Sequence, residues 1–181
     1  VSRVLLVIDI QNDYFPGGAY PLVGSDAAVA AAASVVAAFR RGGEPVLHVQ
    51  HVWDEPEASF MRPGTAGVKI HEAVKPLPGE VVIVKASPNA FDGTELCDVL
   101  TRLDASELVV AGMMTSMCVD SSVRAASEQG FDVALVHDAC AAPDLEFGGV
   151  RVPGEMVHAA FVAALGDGFA RVVSFQDIIA Q

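Results

Sequence analysis

Asp9, Lys85 and Cys118 each follow an apolar segment, and together they hold the parts of a covalent acyl transfer. Asp9 ends the run that starts at Val4, Lys85 follows Val81–Val84, and Cys118 comes directly after the segment Gly112–Met117. A free thiol titrates near ~8.5, and a nearby cation or a helix N-terminus lowers that value. Lys85 would supply the cation. Asp9 would take the thiol proton and return it to a leaving group. Backbone N–H groups at the start of a helix at Cys118 would hold a developing oxyanion. The product of such a step is an acyl-thioester on Cys118. Singly, each residue has a plainer reading: a cysteine in an apolar chain is usually packed and inert, an Asp after a strand is often a turn residue, and a Lys there is usually solvated. The other two cysteines, Cys97 and Cys140, are read as packed and inert.

The elements that must position these residues are legible in the hydrophobic pattern. Continuous β-branched runs at Val4–Ile10, Pro45–Val49, Val81–Val84, Leu108–Ala111, Val133–Val136 and Arg171–Ser174 read as strands covered on both faces. Between them lie helical stretches at Ala27–Arg40, Glu95–Leu103, Cys118–Glu128 and Glu155–Leu165. The first is expected to be capped by Ser25–Asp26 and to stop at Gly42–Gly43. Strand–helix alternation predicts a three-layer, Rossmann-like α/β fold with a parallel sheet, and residues 1–181 read as a single domain. In such sheets ligands bind beyond the carboxyl ends of the strands, which is where the three reactive residues fall. Two segments break the alternation, the Pro- and Gly-rich stretch Val52–Pro78 and the irregular Asp138–Val152. Long loops of this kind are more often lids or interface arms than filler.

Composition narrows the partners. Eleven Lys and Arg against 23 Asp and Glu give a net charge of −12. Phosphate backbones and anionic membranes are gripped by surplus Lys and Arg, so neither nucleic acid nor a membrane surface is an expected partner. The same acidic field favours neutral or cationic substrates over anionic ones. With 52% hydrophobic and 19% charged residues the chain must bury a core. No apolar run reaches the ~20 residues of a membrane helix. The N-terminal VLLVIDI lacks a cleavage site and so does not read as a signal peptide. Three widely spaced cysteines make neither a disulfide framework nor a C-x-x-C zinc site, and a cytoplasmic setting is expected.

The segments DIQNDYFPGG (Asp9–Gly18), Lys85 ahead of PNAFDGT, and GMMTSMCVDSSVRAA (Gly112–Ala126) resemble the isochorismatase-like cysteine hydrolases, and the similarity runs nearly end to end. That family includes nicotinamidases, N-carbamoylsarcosine amidases, and ureidoacrylate and streptothricin hydrolases. The resemblance implies a six-stranded parallel sheet of order 3-2-1-4-5-6 and an Asp9–Lys85–Cys118 triad. It also implies a cis peptide between Met113 and Met114, with the N–H groups of Met114 and Cys118 as the oxyanion hole. Gln11 matches a family position that steadies the catalytic Asp. A homo-oligomer, dimer or larger, and a small-molecule substrate are implied as well.

Metal-dependent nicotinamidases of the family carry an Asp-x-His pair and a further His after the second strand. Here His51, Trp53 and Ala58 stand at those positions, so no metal and no other cofactor is expected. His48 and His51, three apart in a strand, point to opposite faces. Pocket-wall candidates are Tyr14, Phe15, His51, Trp53, Phe60 and Phe91, with Arg62 a possible clamp for a substrate carboxylate. His137, Asp138 and His158 read as packing or interface residues. The expected activity is cysteine-dependent hydrolysis of a C–N bond in a small amide, carbamoyl, ureido or lactam compound. The alternatives are an isochorismatase-type vinyl-ether hydrolase, which needs no thiol, and a catalytically silent binding or assembly subunit. One geometric tension stands out: two strand spacings, roughly 10 Å at ~4.8 Å each, separate the starting points of Lys85 and Asp9.

Overall fold

The central β-branched runs form strands covered on both faces, whereas the edge runs at Val81–Lys85 and Arg171–Val173, expected to be covered as well, leave Val84 and Val172 exposed. In the computed structural model, which describes residues 2–180, β1 (Ser2–Ile8) sends Leu5 and Val7 into one apolar cluster and Val4, Leu6 and Ile8 into another. Its parallel neighbours are β2 (Val46–His51) and β4 (Ala105–Met113), with β3 (Val81–Lys85) outside β2. On the other side follow β5 (Asp132–Ala141) and β8 (Arg171–Val173). The sheet has six strands in the order β3-β2-β1-β4-β5-β8, which is the expected 3-2-1-4-5-6 because β8 is its sixth strand along the chain.

Helices cover both faces. On one side lie α1 (Ser25–Gly42) and α5 (Phe175–Ile179); on the other lie α2 (Leu96–Arg102), α3 (Asp120–Glu128) and α4 (Gly154–Gly166). The α1 stripe Ala28, Val29, Ala32, Val35, Val36 and Phe39 recurs at helical spacing and is buried throughout. Gly43 ends α1 with φ +68, its N–H bonding to Phe39 and Arg40 carbonyls.

Several local expectations are corrected. The N-cap of α1 is Gly24, in the left-handed region, and Ser25–Asp26 form the first turn without a side-chain cap. The helix expected to begin at Cys118 is preceded by a wide turn, Thr115–Val119, so Cys118 sits inside that turn and α3 starts at Asp120. The segment expected to be irregular from Asp138 continues β5 to Ala141 and then forms a hairpin, β6 (Leu145–Phe147) against β7 (Val150–Val152). Gly148–Gly149 is its turn, both residues having positive φ as a tight two-residue hairpin requires. The short α5, capped by reciprocal Ser174–Asp177 hydrogen bonds, was not expected. Among the described residues, no helix is long and apolar enough to cross a membrane.

Candidate active site

The carboxyl ends of β1, β3 and β4 meet at one cleft. Asp9 follows β1 directly with φ +49, a left-handed conformation that costs a non-glycine residue about 1 kcal/mol and turns the chain out of the sheet. Lys85 is the last residue of β3 and pairs in register with His51, the last residue of β2. Cys118 is reached from β4 through Gly112, where a Cβ would run into the Ile8 carbonyl of β1. The Met113–Met114 peptide is cis, as the resemblance implied.

The Lys85 ammonium is the hub. Its Nζ lies 2.8 Å from Asp9 Oδ2, and it donates to the Ser87 carbonyl at 2.9 Å and to Cys118 Sγ at 3.3 Å. A fourth contact, 2.8 Å, is to His51 Nδ1. Because an ammonium only donates, Nδ1 must accept and the ring proton sits on Nε2. The stem of Lys85 therefore spans β2 along the face it shares with His51, which closes the gap left open by strand spacing alone. Asp9, Lys85 and Cys118 are 0%, 3% and 3% exposed, and Asp9 Oδ1 is buried without a hydrogen-bond partner.

Burial dominates the electrostatics. It pushes the Cys118 thiol up to about 12, helped by the Asp9 charge and opposed by Lys85. The expectation that Lys85 and a helix terminus would lower this thiol is thus corrected: desolvation and the neighbouring carboxylate outweigh them. Asp9 is itself raised above the ordinary carboxylate range by burial, which Lys85 only partly offsets. His51 is held down to about 4 by burial and then by the Lys85 charge, so its ring is neutral. Burial thus favours the neutral thiol at Cys118 and makes the Asp9 carboxyl harder to ionise.

Ligand atoms of Asp9, His51 and Cys118 lie within 4.8 Å of one another, a spacing that suits a metal ion. The Lys85 ammonium contacts all three, and so fills the place a shared cation would take. His48 turns the other way, its Nε2 lying 3.0 Å from Glu80.

The cleft above the thiol has a volume of about 350 Å³. Tyr14, Trp53 and Phe60 wall it, together with Tyr20, which the sequence reading missed. Their rings form a continuous series: Trp53 is edge-on to Phe60 at 5.5 Å, Phe60 stacks on Tyr20 at 4.9 Å, and Tyr20 meets Tyr14 at 6.5 Å. Met114, Met117 and Pro88 complete the rim. Two expected wall residues and the expected clamp lie elsewhere: Phe15 packs on the His71 ring, Phe91 stacks with Phe131, and Arg62 is exposed in the loop. Gln11 does not reach the Asp9 carboxylate. Its amide donates to the His51 and Val68 carbonyls and accepts from the His51 N–H, so it fixes His51.

The long loop after β2 is pinned over the site by Asp13, whose carboxylate accepts from the N–H groups of Met61 and Ala19. Gly67 approaches this carboxylate so closely that a Cβ would collide with it. Beneath Cys118, the buried Thr115 shares a 2.9 Å hydrogen bond with His158 of α4, tying the wide turn to that helix. His158 had been read only as a packing or interface residue. Among the cysteines, Cys140 is buried as expected but Cys97 is exposed on α2, and all three are free.

Comparison with known proteins places this geometry in context. The Isochorismatase domain matches residues 3–177. The chain is 48% identical over 172 residues to the isochorismatase family protein YddQ of Bacillus subtilis, covering 95% of this chain and 96% of the relative. It is 33% identical to a streptothricin hydrolase of Streptomyces noursei, over 91% of this chain and 66% of that protein. The crystal structure of an isochorismatase hydrolase from Oleispira antarctica superposes with a TM-score of 0.96 at 45% identity, covering 99% of this chain and 97% of the other.

Proposed function

The chain belongs to the isochorismatase family of hydrolases, and from that premise we propose that it cleaves a C–N bond of a small amide, carbamoyl, ureido or lactam compound through an acyl-thioester on Cys118. The observation that carries this reading is the convergence of Asp9, the Lys85 ammonium and the Cys118 thiol at one buried point beneath an apolar cleft.

In the first step Cys118 Sγ attacks the carbonyl carbon while its proton passes to Asp9. A carboxylate whose pKa is raised by burial is a stronger base, which suits it to a thiol pushed up to about 12. Negative charge moves to the carbonyl oxygen, where the N–H groups of Met114 and Cys118 are the proposed donors. The tetrahedral adduct collapses as the C–N bond breaks and Asp9 returns the proton to the departing nitrogen. Water then enters, gives a proton to Asp9 and attacks the thioester. Collapse of that second adduct releases the acid, and Cys118 recovers its proton. Lys85 balances the negative charge as it moves among Asp9, Cys118 and the oxyanion. A nitrogen leaving group makes the proton on Asp9 necessary, since an amide anion is too basic to depart unprotonated. Relatives named streptothricin hydrolase and ureidoacrylate amidohydrolase support hydrolysis as the reaction class. We further propose that no metal takes part, that the protein is cytoplasmic, and that it works as a homo-oligomer.

A panel of amides, ureides and lactams assayed for released ammonia or new carboxylate tests the reading. Turnover should vanish in Cys118→Ala, by about 10⁴-fold or more, and should survive a chelator. Full activity in Cys118→Ala would overturn the thioester route, and loss with chelator would overturn the metal-independent one.

A further inference from the structure

The cleft that holds Cys118 offers a substrate no positive charge. Among the described residues, no Lys or Arg lines it. The Lys85 ammonium at its floor is 3% exposed and already engaged by Asp9, His51, the Ser87 carbonyl and Cys118. An ammonium has only three protons to donate, so four acceptors leave it nothing for a fifth. His51 also lines the cleft, but its Nδ1 faces the ammonium and its ring is neutral. Arg62, the residue whose type would suit a carboxylate clamp, is exposed in the loop and outside the lining.

What the cleft does offer is the aromatic series Trp53–Phe60–Tyr20–Tyr14 with Met114 and Met117 beside it. Ring faces carry partial negative charge, and Asp9 lies below them. A carboxylate brought here would lose its hydration, find the nearby Lys85 ammonium already paired with Asp9, and meet the negative ring faces. An uncharged group loses little and gains contact with the rings.

We infer that the substrate of this site is uncharged around its scissile bond, with an apolar or flat flank, and that carboxylate-bearing amides and ureides are refused. This rests on the cleft being the substrate site, as proposed above, but not on the chemistry that follows binding. The site thus selects by charge through the internal saturation of the Lys85 ammonium.

Trp53 is the only tryptophan in the chain and stands in the cleft, so its emission reports occupancy directly. Titrations of Cys118→Ala with benzamide against benzoate, and phenylacetamide against phenylacetate, change charge at nearly constant shape. Each amide is expected to shift Trp53 emission saturably, with the matched acid at least about 100-fold weaker. Acids binding as tightly as the amides would overturn the inference, and so would saturable binding by neither. A gain-of-function variant isolates the cause. Met117→Arg, at a rim position 45% exposed, should raise the affinity for benzoate relative to that for benzamide at least about 10-fold. An unchanged ratio of the two affinities in this variant, with its circular dichroism intact, would show that a missing cation is not the reason. Failure of the two readings is separable. Amide binding without turnover of any amide by the intact protein would remove the hydrolase proposal alone. Equal turnover of amides bearing a carboxylate and of their methyl esters would remove the charge selection alone.

Discussion

Lys85 Nζ lies 2.8 Å from Asp9 Oδ2 although β2 runs between the strands that carry the two residues. The contact exists because Lys85 ends β3 level with His51, and its stem crosses β2 on the face that His51 shares. Both partners are buried, so each is the other's main defence against desolvation. Lys85→Met should therefore destabilise the fold by about 3–5 kcal/mol, since it strands the Asp9 carboxylate. In Lys85→Met/Asp9→Asn the loss should be much smaller than the sum of the single changes, while activity stays absent in all three. Urea denaturation of the four proteins gives the cycle. Additive losses would show that the pair is not coupled.

His51 makes stability depend on pH in a defined window. Its imidazole is held down to about 4 from an ordinary 6.5, by burial and then by Lys85. Between those values the unfolded chain binds more protons at this residue than the folded one, so stability rises with pH there. The contribution is complete above 6.5 and lost as pH falls toward about 4. The stability gap between the wild type and His51→Asn should narrow from pH 7.5 to pH 4.5. A gap that stays constant across that range would contradict the assignment.

The Thr115–His158 hydrogen bond should matter to rate more than to substrate binding. Thr115 begins the turn that contains Cys118, and His158 fixes it from α4. Thr115→Val is expected to cost about 1 kcal/mol of stability and to lower kcat about 10-fold with KM little changed. Thr115→Ser, which keeps the hydroxyl, should restore most of kcat. A parallel rise in KM without loss of kcat would instead point to the cleft walls.

Gly112 is where β4 lies closest to β1 ahead of the cis peptide. With φ +150 and no room for a Cβ against Ile8, the position admits only glycine. Gly112→Ala should destabilise by about 3 kcal/mol or more, and a thermal melt would show it. An alanine variant with an unchanged midpoint would mean that the two strands can separate at no cost.

The sequence by itself determined the sheet and the candidate reacting groups. Short β-branched runs alternating with helical stretches can only be strands of a helix-covered parallel sheet, and the residues that follow them fall at its carboxyl edge. Asp9, Lys85 and Cys118 were legible for that reason, and Tyr14, Trp53 and Phe60 were legible as aromatic wall candidates near them. Tyr20 and Met117 were not, because no periodicity marks a loop residue that folds back over a cleft. Phe15, Phe91 and Arg62 had the right chemistry and the wrong direction, which only backbone path decides. Gly148–Gly149 did carry the signal of a two-residue hairpin turn that the sequence reading passed over. The protonation of the thiol lay furthest from the sequence. A cysteine near a lysine reads locally as a lowered thiol, yet desolvation sums over everything packed around it, and Asp9 stands closer than linear order suggests. Tertiary structure also decided that Lys85 faces inward to four acceptors rather than outward to substrate. Bond types and strand ends are local properties of a chain; burial, charge balance and the direction of a long side chain are properties of the assembled whole.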